Sequence, residues 1–217
     1  MHYIQNLIQS LDFSSVGTMA LRVVSVLLCL VIHETSHGAV AYALGDPTAK
    51  RMHRLSLNPL RHIDWVGMAM MLLVGFGWAK PVPVDMRYFK KPKQGMALCA
   101  LAGPVSNFLL AILLLLCGRL VYETAAYTPF WDGCFNFLLS TAALSIGLGV
   151  FNLLPIPPLD GSKVLGALLP DSAYATLMRY ERYGMLLLIV LSFTNFGGNL
   201  ISGAIYGLYD LLVGLIF

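Results

Sequence analysis

Residues 21–32 read Leu-Arg-Val-Val-Ser-Val-Leu-Leu-Cys-Leu-Val-Ile, almost wholly apolar, and lead without a break into His33-Glu34-Thr35-Ser36-His37. No other feature constrains the fold as tightly. An apolar run continuing to Leu44 exceeds the roughly 20 residues a helix needs to cross the hydrocarbon of a bilayer. On such a helix, His33 and His37 sit one turn apart and project from one face, as two ligands of a tetrahedral Zn²⁺ must. Glu34, one residue on, can reach a metal-bound water and take its proton. Ionisable groups at membrane depth are costly and default to a functional reading, here a zinc hydrolase site inside a membrane. A polar helix-packing network is the plainer alternative.

Composition supports the membrane setting. Of 217 residues, 58% are hydrophobic and 12% charged, with a mean hydropathy of +0.74. Soluble domains carry about 25% charged residues, so too little polar surface exists here to cover a globule. The net charge of +3 is too small to indicate nucleic acid. Cys29, Cys99, Cys117 and Cys134 lie far apart with no Cys-x-x-Cys pair and read as packing residues. No basic residue precedes Arg22, and the first apolar run holds the metal motif, so a cleaved signal peptide is not expected.

Residues 1–16 read as a short amphipathic lead-in. The first helix is expected from about Val16 to Leu44, stopped by Gly45-Asp46-Pro47. Two basic segments follow, one with Lys50, Arg51, Arg54 and Arg61, the other with Lys80, Arg87, Lys90, Lys91 and Lys93. Positive loops belong on the cytoplasmic side. The short, glycine-broken stretch Ile63–Ala79 between them, bracketed by Trp65 and Trp78, therefore reads as a re-entrant hairpin or loop rather than a span; an ordinary short helix is the alternative. Helices are expected over Gly95–Val121, with Pro104 in its early part, and over Cys134–Leu154, stopped by Pro155-Ile156-Pro157-Pro158. A mixed segment covers 159–182. The tail 183–217 fits two short membrane helices separated near Asn195–Asn199, with Gly203 and Gly207 suited to close helix packing. The expectation is an α-helical multi-pass membrane protein with about five to six transmembrane helices and a re-entrant element after the first. Residues 1–217 read as one membrane-embedded domain, with its motifs within 17–170 and C-terminal helices in 183–217.

A catalytic zinc needs a third protein ligand and leaves a fourth position to water. Asp160 stands out, because prolines break the incoming helix and present one carboxylate on irregular backbone. Such backbone is tolerated at membrane depth only where it is buried in protein or lines a wet cavity. With the basic loops cytoplasmic, the first helix and the Cys134–Leu154 helix both run inward and bring His33, His37 and Asp160 to one level. Asp210, also in apolar surroundings, is the rival.

His33-Glu34-Thr35-Ser36-His37, followed far downstream by Asn152-Leu153-Leu154-Pro155-Ile156-Pro157-Pro158-Leu159-Asp160-Gly161, is similar to the site-2 protease family of intramembrane zinc metalloproteases. Ala102-Gly103-Pro104-Val105-Ser106-Asn107 and Lys80-Pro81-Val82-Pro83-Val84 share the resemblance, which covers about residues 17–170. It implies one Zn²⁺ per chain on His33, His37 and Asp160, with Glu34 as catalytic base and Asn152 helping to hold substrate or the developing oxyanion. It also implies peptide-bond hydrolysis in membrane-spanning protein or peptide substrates, within or near the bilayer. The expected setting is the plasma membrane, with the active site toward the cytoplasm. The chain reads as a compact member lacking the PDZ and CBS domains of larger ones; its oligomeric state is not legible.

Other readings stay open at this stage. A zinc transporter needs a second polar constellation, and the remaining helices offer almost no ionisable groups. A di-iron oxygenase needs more than five histidines. Asn107 reads first as an interhelical hydrogen-bonding residue. Pro81-Val82-Pro83-Val84 is either an extended linker or an edge strand that captures unwound substrate by β-addition. Proline lacks an N–H, so only one edge of such a strand could pair.

Overall fold

The computed structural model describes residues 16–67, 80–126, 128–179, 183–184, 187–188 and 195–217. Helix α1 spans Val16–Ala43, as its unbroken apolar pattern predicts. It ends in a Schellman motif: Gly45 N–H donates to the Tyr42 carbonyl at 3.1 Å and Asp46 N–H to the Ala41 carbonyl at 2.9 Å, with Gly45 at φ +105°. A single turn, α2 (Thr48–Arg51), follows.

Helix α3 runs Pro92–Thr124 and α4 Pro129–Asn152. Both start earlier than the apolar pattern alone suggests, for the same reason. Pro92 and Pro129 occupy the first helical turn, where a missing N–H costs nothing and the fixed φ is already helical. Thr128 caps α4 by accepting the Trp131 N–H. The helix stops where Pro155, Pro157 and Pro158 intervene.

The segment beyond resolves into two nine-residue helices, α5 (Asp160–Leu168) and α6 (Asp171–Arg179). Asp160 is thus the first residue of a helix, not part of an irregular stretch; the irregular backbone is 153–159. Lys93 Nζ, at the start of α3, meets Asp171 Oδ1 at 2.7 Å and the Leu169 carbonyl at 2.7 Å, tying the α5–α6 corner to α3.

Helix α7 spans Asn195–Ile216, so residues 195–199 form its first turns instead of a separating loop. A side chain built at Gly203 or Gly207 would meet nothing within 4 Å among the described residues. Among the described residues no helix packs closely on that pair. The lead-in at 1–15, the bulk of the 63–79 re-entrant element and the first expected tail helix lie outside the described residues.

Among the described residues, four helices, α1, α3, α4 and the stretch 199–216 of α7, are long and apolar enough to cross a bilayer. Helix α3 lies against α1, α4 and α5. Its inward Ala111, Leu114 and Leu115 join Leu139, Ala142 and Ile146 of α4 and Tyr209 and Ile216 of α7 in the main apolar core. Leu109, Leu113, Leu116 and Leu120 on α3 are each at least 50% exposed. An unpaired leucine face of that extent is stable in lipid, not in water. The chain is an integral, multi-pass helical membrane protein.

Candidate metal centre

His33 and His37 emerge one turn apart from α1, with ring centroids 4.6 Å apart and planes at 87°. Asp160 arrives from the start of α5. Its Oδ2 lies 3.2 Å from His33 Nε2 and 3.2 Å from His37 Nε2. All three donor atoms lie within 4.8 Å of one another, and all three residues are buried. Ligand atoms about 2.0–2.1 Å from a common tetrahedral centre stand roughly 3.3 Å apart, so the donor set fits zinc. Among the described residues it is also the one group of three or more such side chains close enough to share an ion. Asp210 lies exposed on α7, outside it.

Supporting contacts orient both rings. His37 Nδ1 lies 2.7 Å from the Cys99 carbonyl. A carbonyl only accepts, so Nδ1 carries the hydrogen and Nε2 presents its lone pair to the centre. His33 Nδ1 is 3.2 Å from the Asn107 amide nitrogen, while Asn107 Oδ1 is buried with no partner among the described residues. Turning that amide by 180° exchanges the two atoms and sets Oδ1 against an Nδ1–H of His33, which frees His33 Nε2 as a ligand. Asn107 is fully buried, and Ser145 Oγ donates to its backbone carbonyl at 2.8 Å. The expected interhelical hydrogen bond of Asn107 is therefore made directly to a histidine of the site.

Two glycines allow close approach here, one against the rings and one against the loop before Asp160. A Cβ at Gly103 would stand 2.5 Å from both His33 Cε1 and His37 Nε2. At Gly161 it would stand 2.1 Å from the Leu153 carbonyl oxygen, against the proline-broken loop that delivers Asp160. Lys163 Nζ approaches the other carboxylate oxygen, Oδ1 of Asp160, at 3.7 Å.

Glu34 projects beside this group, and its Oε2 accepts the Val82 N–H at 2.8 Å. Asn152 sits in the last turn of α4 and donates its amide to the Leu148 carbonyl at 3.0 Å. No hydrogen bond joins it to His33, Glu34, His37 or Asp160 among the described residues. Gly103, Asn107 and Val82 are not marked as site residues by spacing, because nothing local marks a residue that meets α1 only through the fold; Lys163, at i+3 from Asp160 on α5, is a local neighbour that the spacing alone could have shown.

The model of Peptidase family M50 matches residues 121–193, which include α4 and Asp160. YwhC of Bacillus subtilis is 40% identical over 181 residues, covering 82% of this chain and 83% of that protein. Rip2 of Mycobacterium tuberculosis is 30% identical over 209 residues, covering 94% of this chain and 78% of its own length. Both are named as zinc metalloproteases. No solved structure matches. With a zinc-competent donor set buried among membrane-crossing helices and relatives similar over most of both lengths, the chain belongs to Peptidase family M50, the site-2 protease family of intramembrane zinc metalloproteases.

Proposed function

We propose that His33, His37 and Asp160 hold the zinc ion of this metalloprotease, that Glu34 is its general base, and that Asn152 helps to hold the substrate carbonyl. The convergence of two α1 imidazoles and the α5 carboxylate at 3.2 Å carries the reading. Zinc, when bound, supplies Lewis acidity and lowers the pKa of a water toward about 7. Glu34 takes the proton from the attacking water and passes it to the leaving amine. The Asn152 amide has two hydrogens, of which the Leu148 carbonyl takes one, leaving a second for a substrate carbonyl. A substrate helix hides its carbonyls in its own hydrogen bonds, so it must unwind locally before it reaches these groups.

Residues 1–217 act as one catalytic unit in this reading, with the site toward the cytoplasmic face of the plasma membrane. Lys50, Arg51, Arg61, Arg87, Lys90 and Lys91 support that orientation, since they lie in the segments adjoining the site end of α1 and α3. The test is cleavage of a panel of labelled single-span peptides by the purified protein, with and without a zinc chelator. Glu34→Gln is expected to keep zinc and lose cleavage, whereas His33→Ala or Asp160→Ala loses both. Full activity in Glu34→Gln would sink the base assignment.

A further inference from the structure

Residues 80–85 run without regular secondary structure past the face of α1 that bears Glu34, and they are pinned at both ends. Lys80 N–H donates to the His62 carbonyl at 2.9 Å, and Arg54 donates to the carbonyls of Lys80 and Pro81 at 2.5 and 3.3 Å. At the other end, Asp85 N–H donates to Oδ2 of the fully buried Asp46 at 2.7 Å. Pro81 and Pro83 hold the stretch extended and bring no N–H of their own. The backbone donor between them belongs to Val82, and it meets Glu34 Oε2 at 2.8 Å.

The Val82 side chain is seated as firmly as its amide. It is 8% exposed, and a Cβ added at Gly38 would meet Val82 Cγ1 at 3.2 Å. Glu34 and Gly38 are four residues apart on α1 and share a face. One residue of the extended segment thus fills the notch at Gly38 and hydrogen-bonds the carboxylate one turn earlier.

We infer that Val82 is a positioning residue for the proteolytic reaction, its backbone N–H holding one oxygen of Glu34 so that the other is aimed at the attacking water. A glutamate side chain turns freely about several bonds, and a base displaced by about 1 Å can lose 100-fold in rate. A charge-assisted hydrogen bond from a backbone pinned on both sides removes that freedom. The prolines on either side keep the segment from turning another donor toward the carboxylate. The inference rests on Glu34 being the base.

The experiment uses the full-length protein in detergent and the single-span peptide that the wild type cleaves best in the chelator panel. Val82→Pro deletes the donor and keeps an extended backbone; Val82→Ala keeps the donor and trims the side chain. Val82→Pro is expected to lower kcat roughly 10- to 100-fold, with KM within about twofold and a full zinc complement. Val82→Ala restores the N–H and with it most of the rate. Gly38→Val drives Val82 off its notch and is expected to lower kcat in the same way; it decides the matter where Val82→Pro does not accumulate as zinc-loaded protein. Wild-type kcat in the deciding variant overturns the inference. So does a rise in KM at unchanged kcat, which would make the segment a substrate-binding edge instead. Glu34→Gln is assayed alongside: activity in that variant removes the base assignment itself, whereas an inactive Glu34→Gln beside fully active Val82→Pro and Gly38→Val removes only the role of Val82.

Discussion

Along α3, Cys99, Gly103, Asn107, Ala111 and Leu115 recur every fourth residue and are buried, whereas Leu109, Leu113, Leu116 and Leu120 stand at least half exposed on the outside. In a soluble protein the apolar stripe would face inward and the polar one outward. Here the order is reversed. The outer stripe meets a solvent as apolar as leucine itself, and the inner one, Leu115 apart, is small or polar because helices in lipid approach through small residues and buried hydrogen bonds. The inner stripe also changes along its length. Toward the site it supplies the Cys99 carbonyl to His37, the bare Cα of Gly103 and the amide of Asn107. Farther on it supplies Ala111 and Leu115 to the core.

The contrast can be broken most severely at Gly103. In Gly103→Ala the new methyl would lie 2.5 Å from both imidazoles, and neither ring can withdraw without losing its orienting partner. The expected outcome is loss of zinc and at least a 100-fold fall in cleavage, read by metal content and peptide hydrolysis. A zinc-replete, active Gly103→Ala protein would mean that the rings have room the structure denies them.

Asn107→Leu should come next. It removes the partner of His33 Nδ1 while nearly preserving volume and leaving the carboxylate and both imidazoles in place. Zinc affinity is expected to fall about 10- to 100-fold, with helical content unchanged by circular dichroism. Competition with a chelator of known affinity measures it.

The smallest effect is expected on the outer stripe. Leu109→Ala exchanges one lipid-facing apolar side chain for another, so stability should change by no more than about 0.5 kcal/mol and cleavage by less than about twofold. A thermal-shift cost at Leu109 matching that at the inner positions would show that both faces are packed against protein.

Much of this organisation is legible in the sequence. The unbroken apolar runs predict α1, α3 and α4, and the ends of α1 and α4 follow from Gly45 and the prolines after Leu154. The starts of α3 and α4 are less legible by hydropathy, because Pro92 and Pro129 begin helices that the apolar pattern enters only later. His33, Glu34 and His37 are readable because helical geometry is local: three positions within five residues must share a turn. Asp160 is readable as well, since a lone carboxylate after a proline-broken span has few harmless explanations. Asn107 and Val82 are a different case. Their identities are ordinary for a membrane helix and an extended linker, and only their distances to His33 Nδ1 and Glu34 Oε2 reveal what they touch.

The sequence by itself therefore determined the solvent and the helical class, and it marked out His33, Glu34, His37 and Asp160 as the candidate ligands and base proposed above, because composition, spacing within α1 and the proline break before Asp160 are all local features. Tertiary structure alone decided how that group is held. The Asn107 amide at His33, the Cys99 carbonyl at His37, the missing side chain at Gly103 and the Val82 N–H at Glu34 all come from segments remote in the chain. Their contacts depend on how α3 and the 80–85 stretch pack on α1, and close packing acts on shape across the fold, which no local pattern encodes.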